Sequence, residues 1–415
     1  MTRRLLWNAR LLDPEAPADR AGEPGALLLA GGRIEAVLRA PTPRDLDALE
    51  ARREDAGGAF VAPGFLDLHV HGSLVTGSAR DVRHAVADVA ASSVRHGATG
   101  FLATTVALPR PELLAQVRAL AAALDAPSSG ALPLGIHLEG PWIDPGAAGA
   151  QPVPGIRPPD AAELEALLAA AAGRVRLVTL APELDGAAAL LAALARHGVV
   201  AALGHSRAPS AAIERAIDLG LRHVTHLFNA MSPVHHRELG VAGHALADDR
   251  LTCDLIADGV HVDPRLVRVA ARAKGSGLML ITDRIEMPGP GAEPSIGGGM
   301  APGGLSQDGE AWRLADGRLA GSTLQLDRAV ANVTRWGAMT RVDAVAACTL
   351  RPARLLGLEA ERGTLRPGAR ADLVLLDEAG AVRETWIAGE RVYAAGPGPA
   401  PEPGGMGMGG GAAPG

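Results

Sequence analysis

The sequence predicts an α/β fold: a (β/α)8 barrel with a small β-sandwich domain built from the N- and C-terminal segments. Two observations carry this. Between residues 61 and 359, apolar strands alternate with Ala/Leu-rich helices, which argues for parallel pairing, and eight such units suggest a closed barrel. At both ends the pattern changes to short strands with tight turns, and neither end is long enough to bury a core alone. A doubly wound open sheet is the structural rival, disfavoured because no Gly-rich phosphate loop follows the first strand.

The N-terminal segment, residues 1–60, reads as strands Leu5 to Leu11, Gly25 to Ala30 and, after the Gly31-Gly32 turn, Arg33 to Leu38, followed by a polar, Glu/Arg-rich connection. The eight barrel strands are Phe65 to His71, Thr99 to Thr104, Leu134 to Glu139, Val175 to Ala181, Val199 to His205, Arg222 to His226, Thr252 to Ala257 and Leu278 to Asp283. Helices such as Pro111 to Leu124, Asp160 to Ala172 and Ser210 to Leu219 separate them. Residues 360–395 return to strands: Ala371 to Leu376, Val382 to Ala388 and Gly389 to Tyr393. The Gly/Pro-rich run from Pro288 to Gly304 reads as a mobile loop, and the tail 396–415, rich in Gly, Pro, Ala and Met, as disordered.

Composition narrows the function. The 415 residues are 47% hydrophobic and 21% charged, as in a globular protein, with a formal net charge of -6 and no basic block. That argues against a nucleic-acid surface and points to small-molecule partners. Cys253 and Cys348 lie far apart, which is no disulfide framework and fits a reducing cytosol. No apolar leader core and no uncharged run of membrane-spanning length is present, so a soluble, cytoplasmic chain without membrane partners is expected. Arginine carries the basic charge, Lys274 being the single lysine, which is a compositional bias and no functional signal.

The stretch Phe65-Leu66-Asp67-Leu68-His69-Val70-His71-Gly72 alternates with period two, so a strand here puts Asp67, His69 and His71 on one face. Two imidazoles at the end of a strand can present nitrogens to one ion, although a lone His-x-His is more often two ordinary histidines. Other strands also end in ligating or acid-base groups: Glu139 on the third, His205 on the fifth, His226 on the sixth and Asp283 on the eighth. Each has a bland reading, Glu139 or Asp283 as a helix cap and His205 or His226 as a satisfied core histidine. In a barrel all strand C-termini open onto one face, so these residues converge, and together they favour a metal site. His84, His96, His197 and His223 read as surface or packing residues in helices or before turns.

His-Val-His-Gly at 69 to 72, His-Leu-Glu-Gly-Pro at 137 to 141, Gly-His-Ser at 204 to 206, Thr-His-Leu-Phe-Asn-Ala-Met at 225 to 231, Ala-Asp-Gly-Val-His-Val at 257 to 262 and Thr-Asp at 282 to 283 together resemble the N-acetylglucosamine-6-phosphate deacetylase family of the amidohydrolase superfamily. The resemblance spans most of the barrel and the flanking strands. It implies metal-dependent hydrolysis of the N-acetyl amide of N-acetylglucosamine 6-phosphate, giving glucosamine 6-phosphate and acetate. It further implies one or two divalent ions, Zn, Fe or similar, with Glu139, His205 and His226 as main ligands and His69 and His71 holding a second ion. A bound ion lowers the pKa of water to around 7 and polarises the carbonyl. By the same resemblance Asp283 takes the proton from the attacking water and passes it to the departing amine. With Lys274 away from the strand ends, a Glu139 bridge replaces the carboxylated lysine of many dinuclear amidohydrolases.

Substrate contacts implied by the resemblance are Ala150, Gln151, Asn229, Ala230, His261, and Leu319, Ala320 and Gly321 in the loop before the final helix. Arg237 matches a phosphate-binding arginine that reaches across a dimer interface, so a homodimer is expected; a guanidinium fork suits an anion. Two departures stand out. Gly149-Ala150-Gln151 has Gln151 where many members have a carbonyl-polarising histidine, and a glutamine donates a hydrogen bond without a full charge. Arg284 and Glu286 follow Asp283 where small residues are usual, and are expected to reshape the sugar pocket. The alternatives are a related amidohydrolase acting on another N-acyl amino sugar, such as N-acetylgalactosamine 6-phosphate, or on a cyclic amide, and a non-catalytic, metal-stabilised assembly module.

Overall fold

The computed structural model describes residues 3–76, 82–286 and 305–396. The run Pro288 to Gly304 and the tail from 397 onward, expected to be loop and disorder, lie outside the described residues. Eight barrel strands are present among the described residues: Phe65–Gly72, Ala98–Thr104, Leu132–Glu139, Val175–Leu180, Val200–Leu203, Leu221–Val224, Thr252–Ile256 and Leu278–Ile281. Each pairs in parallel with the next. The ring closes between last and first: Asp283 N donates to His69 O at 2.9 Å, and Thr282 Oγ1 to Asp67 Oδ2 at 2.6 Å.

All of Phe65–Gly72 is buried, so its alternation separates two interiors and not inside from solvent. Leu68 and Val70 join the apolar core that contains Val86 and Val89 of helix Val82–Ser93. Asp67, His69 and His71 instead meet Thr282, Glu139 and Asp283. The period-two pattern of the sequence therefore sorts a hydrocarbon layer from a polar centre.

The flanking strands form one eight-stranded sheet, in the order Glu390–Ala394, Val382–Ile387, Leu373–Leu376, Phe60–Pro63, Arg4–Leu11, Glu23–Ala30 and Arg33–Arg39, with Arg52–Asp55 beside Arg4–Leu11. The chain ends meet where Leu373–Leu376 pairs antiparallel with Phe60–Pro63. Leu6, Leu11, Leu27, Val61, Leu373 and Trp386 bury a separate small core here, which is the small β domain read from both ends of the sequence. The connection after Arg33–Arg39 holds more structure than the sequence suggested: a helix at Pro43–Asp47 under a Thr42–Asp45 capping box, and two strands.

Three barrel strands stop two residues earlier than expected. They end at Leu203, Val224 and Ile281, two residues short of His205, His226 and Asp283. Those three residues have φ of +48°, +35° and +48°, a left-handed geometry that ends strand pairing. Leu319–Ser322, expected as a loop, is a strand; it pairs with Ala311–Leu314 and, through Arg284–Ile285, is tied to the first barrel strand. His223, read as a surface or packing residue, is the latter: it lies within strand Leu221–Val224, fully buried, with Nε2 2.9 Å from Asp254 Oδ2 and Nδ1 2.8 Å from Thr252 Oγ1.

The closing seam is testable. Thr282→Val strips the buried Asp67 carboxylate of its shortest hydrogen bond and should destabilise the protein by about 1–3 kcal/mol, read as a lower thermal midpoint, whereas Thr282→Ser should stay close to the parent. Equal midpoints for the valine and serine variants would show that the seam does not depend on this bond.

Candidate metal centre

At the C-terminal mouth of the barrel, two histidine pairs face one carboxylate. His205 Nε2 and His226 Nε2 each lie 3.0 Å from Glu139 Oε1 and 3.1 Å from one another. On the other side, His69 Nε2 and His71 Nε2 lie 3.4 and 3.2 Å from Glu139 Oε2 and 3.2 Å apart. Asp283 Oδ1 caps the second group at 3.3 Å from both ring nitrogens. Glu139 is 2% exposed, so one buried carboxylate turns one oxygen toward each pair.

The rings are aimed by the backbone around them. His71 Nδ1 is 3.2 Å from Thr104 O, and His205 Nδ1 is 3.0 Å from Ala147 O, so both present Nε2 to the centre. Asp254 fixes the sixth-strand turn by accepting from His226 N. The left-handed φ at His205, His226 and Asp283 costs of order 1–3 kcal/mol each, and it swings these side chains across the barrel mouth.

The donor set fits a divalent ion. Donors of a tetrahedral site with bonds of about 2.0–2.1 Å stand about 3.3 Å apart, close to the 3.0–3.4 Å spacings found here. Imidazole nitrogen with carboxylate oxygen suits Zn and Fe. Electrostatics agrees. Burial disfavours the charged ring of His71, but hydrogen bonds to Asp283 and Glu139 outweigh it and push its pKa up to about 10. His226 is pushed up to about 9 in the same way, burial being overcome by Glu139. Burial alone would raise Glu139 and Asp283, yet the imidazoles, His69 foremost, hold both carboxyls below their usual range, Glu139 well below. The pocket thus draws positive charge onto its ligands when no cation supplies it.

A cavity of about 260 Å³ opens over this centre. It is lined by His71, Glu139, His205, His226 and Asp283, and by the expected substrate residues Ala150, Gln151, Asn229, Ala230, His261, Leu319, Ala320 and Gly321. Arg237 is not brought there; it sits exposed in its loop with Nη1 2.7 Å from His236 Nε2. Gln151 donates from Nε2 to Glu139 Oε2 at 2.6 Å and accepts at Oε1 from Ala107 N at 2.8 Å, so its amide orients the shared carboxylate. The expectation that Arg284 and Glu286 reshape the pocket is corrected. Arg284 is buried against helix Val82–Ser93, bonded to Ser92 and Ser93 and paired with Glu286 at 2.6 Å, while Ile285 between them lines the cavity.

Sequence reasoning missed two residues. Asp258 accepts from His261 N at 2.8 Å and lies 2.6 Å from its Nδ1, fixing that ring; its place three residues before a motif histidine was the available signal. Arg318 lines the cavity beside Leu319 and had no signal beyond adjacency.

The amidohydrolase family model matches residues 60–392, which takes in every strand of the barrel. The chain belongs to the amidohydrolase family. Among its relatives, N-acetylglucosamine-6-phosphate deacetylase of Homo sapiens is 38% identical over 83% of this chain and 86% of its own length. N-acetylgalactosamine-6-phosphate deacetylase of Escherichia coli O157:H7 is 34% identical over 88% of this chain and 93% of its own. A structure of a Mycobacterium smegmatis N-acetyl-D-glucosamine-6-phosphate deacetylase mutant in complex with N-acetyl-D-glucosamine-6-phosphate has a TM-score of 0.83 at 35% identity, covering 95% of this chain and all of that one. The amidohydrolase barrel and its small β domain are thus shared with enzymes of this kind.

Metal and protons should compete for this centre. Raised ring pKa values mean that His71 and His226 carry protons at about neutral pH in the metal-free protein, and ligation requires their loss. Loading Zn²⁺ at about pH 7.5 should release roughly one to two protons, with affinity strengthening as pH rises toward 9–10. Calorimetry in buffers of different ionisation enthalpy measures this, and affinity independent of pH would contradict it.

Proposed function

We propose that this amidohydrolase hydrolyses the N-acetyl amide of N-acetylglucosamine 6-phosphate to glucosamine 6-phosphate and acetate. The observation that carries the reading is the Glu139-centred donor set, with Asp283 beside it, at the floor of a cavity lined by Asn229, Ala230 and His261, in a chain whose relatives bear this activity by name. Glu139, His205 and His226 would hold one ion, and Glu139 with His69 and His71 a second, Zn or Fe being the metals these donors favour. When bound, the ions supply Lewis acidity toward the amide carbonyl and lower the pKa of water.

The chain's own groups account for the proton traffic. Asp283 is held ionised by its imidazole neighbours, so its carboxylate accepts a proton from the attacking water. The water oxygen bonds to the carbonyl carbon, the carbon–nitrogen bond breaks, and Asp283 returns the proton to the leaving amine. His261, fixed by Asp258, and Asn229 and Ala230 hold the sugar phosphate on the opposite wall. Leu319, Ala320 and Gly321 give an apolar wall for the acetyl group. Arg237, exposed and away from the cavity of its own subunit, is assigned to substrate bound in a neighbouring copy of this chain, with a homodimer as the working assembly.

The division into a composite β domain, 1–60 with 360–395, and a barrel, 61–359, that carries every site group belongs to the same reading. No helix among the described residues is long and apolar enough to cross a membrane, and a cytoplasmic enzyme is the setting we infer. The N-acetylgalactosamine 6-phosphate reading has one relative behind it and is separated by assay of both epimers.

Acetate release from N-acetylglucosamine 6-phosphate by metal-loaded protein should be readily measured. Asp283→Asn should lower kcat by about 10²- to 10⁴-fold with little change in KM. No release by folded, metal-loaded protein would refute the proposal, and faster release from the galacto epimer would move the substrate to that sugar.

A further inference from the structure

We propose that Arg318 is a same-subunit cation for the phosphate of the substrate and sets the preference for phosphorylated over unphosphorylated N-acetyl sugars. This deepens the reading given above and rests on it.

Among the described residues, Arg318 is the one arginine or lysine lining the cavity. A phosphate carrying close to two negative charges in this cavity is best met by a fixed cation with matching donors. Arg237 is turned to its own loop, and His261 shares its Nδ1 with Asp258, so neither supplies a guanidinium to this cavity from the same subunit.

The position suits that task. Arg318, in the turn that leads into strand Leu319–Ser322, donates from Nη1 to Gly149 O. Gly149 lies between the phosphosugar wall and the metal centre: a Cβ added there would stand 3.4 Å from both Ala230 Cβ and His205 Cε1. The guanidinium is therefore tethered beside Asn229-Ala230, where the sugar phosphate is placed. Its backbone is held by a turn, with Arg318 N donating to Asp316 Oδ1 at 3.1 Å and Leu314 N to Arg318 O at 2.9 Å.

Two features keep the group available. Arg318 Nε and Nη2 rest on Asp316 Oδ2 at 2.8 and 2.7 Å, a pair whose side chains are 56% and 53% exposed. Such an exposed pair is worth little, so exchanging Asp316 for a doubly charged phosphate costs little. A guanidinium also carries five N–H donors in one plane, more than the contacts to Asp316 and Gly149 use, and its fork matches phosphate oxygens.

The test compares Arg318→Met and Arg318→Lys with the parent enzyme, metal-loaded, on N-acetylglucosamine 6-phosphate and on the unphosphorylated sugar. Loss of a charge-assisted hydrogen bond should raise KM for the phosphorylated sugar about 10- to 100-fold in Arg318→Met, with kcat changed far less, and lower the preference for the phosphorylated sugar by a similar factor. Arg318→Lys should recover part of it, keeping the charge and losing the fork. Equal losses on both sugars, or no loss, would overturn the inference and leave Arg318 as a tie between its turn and Gly149. Calorimetric titration with inorganic phosphate runs alongside, since it needs no turnover. If the parent protein deacetylates neither sugar, the functional reading fails, and the inference still stands or falls on whether Arg318→Met weakens phosphate binding about tenfold or more.

Discussion

One buried carboxylate shared by two histidine pairs is the constraint on which the rest of this molecule depends. Glu139 turns Oε1 to His205 and His226 and Oε2 to His69 and His71, at 3.0 to 3.4 Å, with all five residues buried at the barrel mouth. Two ionised carboxylates and four imidazoles in so small a space are costly unless a cation or protons balance them. Protonation of His71 and His226 is the metal-free solution, and a divalent ion is the other. Everything nearby serves that arrangement. The Asp67–Thr282 seam joins the strand bearing His69 and His71 to the turn bearing Asp283, and Gln151 orients Glu139 by donating to its Oε2.

Much of the fold was legible because burial here follows chain periodicity. The alternation of Phe65–Gly72 identified His69 and His71 as companions, and the spacing of apolar strands and helices was enough to count the barrel. The convergence of Glu139, His205, His226 and Asp283 also followed from topology, since all strand ends open onto one face. What was lost is local backbone geometry. His205, His226 and Asp283 read as the last residues of strands, yet each lies two residues beyond one, in left-handed conformation. Nothing in those residue types signals it, because tertiary contacts at the mouth impose the conformation.

Side-chain direction was the second loss. Arg284 and Glu286 neighbour Asp283 in sequence and were read as pocket residues, but the short strand Arg284–Ile285 alternates too, and it sends both charges to Ser92 and Ser93 while Ile285 takes the cavity wall. Arg318 escaped notice for the converse reason: it sits in the turn just before strand Leu319–Ser322, whose pairing with Ala311–Leu314 no motif marks. Gln151 looked like a diminished electrophile; in place, it bonds to Glu139 and to the backbone of Ala107.

The central claim is that Glu139 and the two histidine pairs form a metal centre. Diffraction from metal-loaded crystals at the absorption edge of the added ion tests it most directly. The account predicts an anomalous peak at about 2.0–2.2 Å from Glu139 Oε1, His205 Nε2 and His226 Nε2, with a second between Glu139 Oε2, His69 and His71 at saturating metal. A catalytically active crystal with no ion at Glu139, His205 and His226 would contradict it.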